Sequence, residues 1–151
     1  MKTNEERIRD FNRDNAPFSI MDFENGRFGL GLSFTFLKPP YANYGQNAFN
    51  AYAVRSGHPP VRDGMFVRGS GYDWDEVFQK AFEGDPQLEK IEFDSEAGGF
   101  YCRSRDLSAL IDLGSRFKAI CEDGQSFEEL VCTALKEADQ RQQMQWGGMR
   151  L

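Results

Sequence analysis

Phe28, Leu30, Leu32, Phe34 and Phe36 recur at every second position, with Gly29, Gly31 and Ser33 between them. Period two is the repeat of a β-strand, so the segment reads as a strand with one apolar face and one bare face. The stretch before it alternates too: Phe18, Ile20 and Asp22 fall on one side, Ser19, Met21 and Phe23 on the other. Asn25-Gly26 lies between the two and tolerates the positive φ of a tight turn. Residues 17–36 therefore predict a β-hairpin. Its glycine side predicts either a closely approaching helix or bulges. A second hairpin is predicted over 90–104, with Ile91 and Phe93 in one strand, SEAGG as the loop and residues 100–104 as the return.

The period changes elsewhere. Trp74, Val77, Phe78, Ala81 and Phe82 fall at i, i+3, i+4, i+7 and i+8, the stripe of an amphipathic helix that Gly84 closes. With Asp73 as N-cap, Glu76 stands at capping-box spacing, and Tyr72 and Val77 form a hydrophobic staple. Phe49, Tyr52 and Ala53 predict a short helix stopped at Gly57. HPPVRDG reads as loop and MFVRGSG as a brief strand. Two further helices are predicted, one through Leu107, Leu110, Ile111, Gly114, Phe117 and Cys121. The other carries Phe127, Leu130, Val131, Ala134 and Leu135, capped by Ser126 with Glu129 three residues on. Residues 1–15 read as a charged arm or short helix. Residues 141–151 lack a period and read as a flexible tail. Hairpin, helices, hairpin, helices is an α+β pattern: one domain over 1–151, with an antiparallel sheet of two hairpins and helices on one face.

Charge distribution sharpens the picture. The chain carries −6 overall, which makes a nucleic-acid backbone a poor partner. Between residues 73 and 100 stand nine acids and two lysines, a net of −7, leaving the rest of the chain at +1. Such a concentrated patch steers a basic protein; its bland alternative is a solvated helix face and a guarded hairpin edge. The opening residues alternate charges without an apolar run, so neither a signal peptide nor a membrane span is expected, and the location expected is cytoplasmic. Cys102, Cys121 and Cys132 read as reduced thiols, and with a single histidine no metal site or cofactor is expected.

Catalytic chemistry has little to work with. Asp73, Asp75 and His58 are the candidates for an enzyme that reverses a modification or degrades a product, but no nucleophile elbow, Walker loop or zinc helix accompanies them. GRFGLG lies in a strand pattern and does not open a helix.

GYDW at 71–74 together with IEFDSEAGGF at 91–100 resembles the immunity protein 51 family of bacterial polymorphic-toxin systems. Gly71, Tyr72, Asp73, Trp74, Phe93, Gly98 and Phe100 are the shared structural positions, while Ser70 and Gly99 depart from the usual Asn and Met. The resemblance implies a small α+β protein that binds a cognate toxin in the cytoplasm and performs no catalysis. Tyr72, Trp74, Ile91, Phe93 and Phe100 then read as core, and Gly98 as a turn requirement. The candidate contacts are the acids Asp75, Glu76, Glu92, Asp94 and Glu96, facing a basic active-site surface on the toxin. A generic protein-interaction module is the other alternative.

Overall fold

In the computed structural model, which describes residues 1–149 and only the backbone of 146–149, the two predicted hairpins join into one sheet. Strands β1 (Ser19–Asp22) and β2 (Phe28–Ser33) form the first, β5 (Glu92–Phe93) and β6 (Gly99–Ser104) the second. The order is β1-β2-β6-β5, every pair antiparallel. The central β2–β6 ladder runs from Phe28 opposite Ser104 to Ser33 opposite Gly99, putting Leu30 against Cys102 and Leu32 against Phe100. With Ile20 of β1 these make an apolar inner face, and Ser104 at its end is buried with its hydroxyl donating to the Lys90 carbonyl.

The helices gather on that face. They are α1 (Asn4–Asp14), α2 (Gln46–Arg55), α3 (Gly71–Ala81), α4 (Leu107–Glu122) and α5 (Gly124–Met149). Between α2 and α3 a small hairpin, β3 (Val61–Arg62) with β4 (Met65–Phe66), stands apart from the main sheet, so the predicted loop at HPPVRDG supplies its first strand. Trp74 of α3 is the hub of the core. It packs against Phe18, Phe49 and Phe127, stacks on Tyr44, and meets Phe117 edge-on. Gly45, at φ 73°, leaves room for it: a Cβ there would lie 2.7 Å from the indole. Phe78, Phe82, Phe100 and Phe117 extend the cluster toward the sheet.

Several expectations are corrected. Strand β2 ends at Ser33, and Phe34–Phe36 turn into a short 3-10 helix that leaves Phe36 78% exposed. Among the described residues no helix covers the glycine side of β2. Instead the Phe23 ring lies on Gly29 and the Tyr101 ring on Gly31, where added Cβ atoms would sit 2.4 and 2.9 Å away. Helix α3 is capped by Ser70, whose Oγ accepts the Asp73 N–H, so the cap stands three residues before the expected Asp73. Tyr72 is exposed, not a staple or a core residue. The cap of α5 also moves upstream, to Asp123, which accepts the Ser126 N–H. The charged start is a helix that buries Phe11. The backbone of the aperiodic segment from 141 is helical as far as Met149, with 150–151 outside the described residues.

Candidate functional site

The start of α3 is built around Arg68. Its guanidinium grips Asp73 through two hydrogen bonds (2.9 and 3.1 Å) and Asp139 of α5 through two more (2.9 and 3.2 Å), and lies over the Tyr52 ring of α2. Tyr52 donates its hydroxyl to Asp139, and burial followed by that bond pushes the phenol up to about 12. The Gly69 N–H donates to Asp73 at 2.8 Å, and the Arg68 carbonyl accepts from the Gln46 amide at 2.7 Å. Both Arg68 and Asp73 are largely shielded from water. Asp73 is thus a clamp residue, occupied on both carboxylate oxygens. Asp75, two residues on, turns inward and is only 9% exposed. Burial raises its pKa, while the Ser95 hydroxyl and the Gln79 amide hold it back in part. His58 is exposed beyond the end of α2. No hydrogen bond or ion pair joins Asp73, Asp75 and His58, so the fold does not assemble the candidate catalytic set.

Four arginines from outside the acidic segment answer five of its nine acids. Arg68 takes Asp73, Arg141 takes Glu76, Arg116 takes Asp85, and Arg103 takes Glu92 at 2.9 Å and Asp94 at 3.6 Å. Glu83 pairs with Lys80. The expected acidic surface is therefore interleaved with cations. Asp75 is withdrawn from it, and Glu76 lies against Arg141 of α5. Glu92, Asp94 and Glu96 remain exposed along the β5 side, Glu96 without an ion pair among the described residues.

Beside those three acids the outer face of the sheet opens a groove of about 800 Å³. Gly29 and Gly31 line it together with Met21 and Phe36, and the Phe23 and Tyr101 rings pack against the two glycines. Arg27, Asp94 and Arg103 supply the polar rim. The sheet's edges offer less. The Asn12 side chain of α1 donates to the Ile20 carbonyl (3.2 Å) and accepts the Ile20 N–H (2.7 Å), occupying the open edge of β1 at that residue as a neighbouring strand would. The β5 edge is two residues long and flanked by carboxylates, which guards it against pairing.

A profile of the family described as immunity protein 51 matches residues 61–136, half of the chain. The chain belongs to the immunity protein 51 family. No curated protein and no solved structure matches it significantly.

The span matched to immunity protein 51 begins at β3 and takes in Arg68 and Asp73 of the clamp, α3, the second hairpin, α4 and the first half of α5, while Tyr52 and Asp139 of the clamp lie outside it. Within it, the quoted motif glycines separate by role. Gly71 is irreplaceable in place: a Cβ there would fall 2.0 Å from the carbonyl oxygens of Glu96 and Gly99, because the start of α3 lies directly on the 96–99 turn and the Gly71 N–H donates to Ala97 O. Gly99 lies under the Tyr101 hydroxyl. Gly98, expected to be the turn requirement, has open space around it and an ordinary φ. The residues that sequence reasoning missed are Arg68, Asn12 and the outer-face aromatics. The alternation had separated Met21 and Phe23 from the core side, the signal that they line a surface. Arg68 had no periodic signal: Asp73 stands only five residues on, but the second carboxylate, Asp139, is 71 residues away.

Proposed function

We propose that this chain neutralises a cognate protein toxin in the shared cytoplasm by stoichiometric binding, with no bond made or broken by its own side chains. What supports this best is the uncovered, aromatic-lined sheet face running beside Glu92, Asp94 and Glu96. Contiguous exposed apolar surface rimmed by polar groups marks an interaction site, and an aromatic patch of this kind supplies the anchors of a standard interface of roughly 1,600 Å². With one sheet edge occupied at Ile20 by Asn12 and the other guarded by charge, the partner docks on the face. A basic toxin surface fits the rim acids. Arg103 holds Glu92 closely and Asp94 loosely, so an incoming Arg or Lys takes Asp94 without unpairing Glu92. Among the described residues no helix is long and apolar enough to cross a membrane, in keeping with a partner met in solution.

The test is a titration against the toxin encoded by the adjacent gene. Protection completes near one equivalent, and Asp94→Lys with Glu96→Lys weakens binding by about tenfold or more at unchanged melting temperature. Protection by trace amounts would instead indicate an enzyme. Unaltered calorimetric affinity of the double variant would move the contact away from this rim.

A further inference from the structure

The β3–β4 hairpin is a tip that the fold builds and does not use. Asp63 and Gly64 both have positive φ, 54° and 76°, the geometry of the tightest two-residue hairpin turn. None of its strand residues is buried: Val61 and Phe66 are about half exposed, and Met65 is 73% exposed. An isolated two-stranded hairpin is marginal in water, so its order comes from the base. There the Val67 N–H donates to the Pro60 carbonyl at 3.0 Å. One residue further on, Arg68 is fixed to α3 and α5 through Asp73 and Asp139 and to α2 through Gln46 and Tyr52. A mostly buried cation with four charge-assisted hydrogen bonds thus holds an apolar tip out in solvent. Three residues beyond Arg68, Gly71 lies on the turn that carries Glu96, at the rim of the proposed docking face, and the exposed Tyr72 follows it directly.

We propose that this hairpin is a preformed finger that inserts Met65 and Phe66 into an apolar cleft of the protein bound at the outer sheet face. The inference rests on the toxin-binding reading above and adds a second contact and its chemistry. A convex apolar tip calls for a concave apolar receiver. Arg62, at the end of β3, and Asp63, in the turn, cancel in charge, so the tip has no preference for a polyanion, and a chain of net −6 is repelled by anionic lipid and nucleic acid alike. The clamp removes the ordering cost that a flexible loop would bear on binding.

Met65→Ser with Phe66→Ser tests it, since neither side chain is buried and the fold is preserved. Calorimetry with the adjacent-gene toxin is expected to show about a tenfold or greater loss of affinity, and amide exchange over 61–67 of the unaltered chain is expected to slow in the complex. If the unaltered chain binds and the variant matches it within about twofold, the finger is refuted while the toxin-binding reading stands. Unchanged exchange over 61–67 refutes it in the same way. If the unaltered chain fails to bind that toxin, both fall together. Sedimentation with phosphatidylglycerol vesicles that the variant loses would overturn the assignment of a protein cleft.

Discussion

Asp75 is buried between α3 and the turn after β5, and none of the arginines that answer its neighbours reaches it. Burial raises its pKa, the adjacent Glu76 adds to the rise, and the buried Cys102 thiol of β6 is itself pushed up, by burial first and then by Asp75. The folded value lies above the unfolded one. The contribution of Asp75 to stability is therefore complete below about pH 4 and is lost as pH rises through the folded value. Asp75→Asn keeps the shape and an oxygen for the Gln79 amide while removing the charge. Its melting temperature is expected to exceed the unaltered chain's at pH 7, with the gap closing as pH falls toward about 4. A variant less stable than the unaltered chain at pH 7 would mean that the carboxylate is held by its hydrogen bonds more strongly than it is penalised by burial. No local pattern distinguishes Asp75 from Asp73 or Glu76, because a residue's side of a helix is known only once the stripe is placed against its neighbours. The same holds for the glycines: which of Gly71, Gly98 and Gly99 is sterically required depends on α3 lying across the 96–99 turn, a contact no local pattern encodes.

Among the elements, α3 shows how a correct helix can carry a misplaced start. The apolar stripe from Trp74 to Phe82 was legible because it repeats over two turns, and each of its large members is buried. The cap was not, because Ser70 and Asp73 both have capping side chains and only tertiary contacts divide the work. Ser70 caps; Asp73 bonds Gly69 N–H and Arg68. Ser70→Ala is expected to cost about 1 kcal/mol, the usual worth of an N-cap. Asp73→Ala leaves a shielded arginine with one of its two carboxylates missing and is expected to cost more, about 3 kcal/mol. Chemical denaturation of the two variants decides between them. Equal losses would make Asp73 merely a second cap. The β3–β4 hairpin was half legible: its Asp-Gly turn has the residues a tight turn needs, but the strands are too short to show a period, and what orders them arrives from α2, α3 and α5.

For the molecule as a whole, the sequence-level α+β architecture and its two hairpins are those of the fold, since strand and helix periods are local signals. The acidic surface was less legible, because a segment's net charge is not a surface's. Arg68, Arg103, Arg116 and Arg141 lie outside the 73–100 segment and return to it only in three dimensions. Local neutralisation leaves the far field intact, however, because paired charges still sum to −6 at a distance. Under the proposed docking, close contact at the outer face would be dominated by Phe23, Phe36 and Tyr101, while long-range attraction of a basic partner would be set by net charge. These two contributions separate kinetically. Raising salt from about 50 to about 500 mM shortens the screening length from above 10 Å to a few ångströms. The association rate with the toxin is expected to fall by about tenfold, while the dissociation rate, governed by desolvated apolar contact, changes by less than about twofold. Stopped-flow mixing followed by dilution measures both. A dissociation rate that climbs steeply with salt while association stays flat would place the binding energy in exposed ion pairs and take the aromatic groove out of the interface.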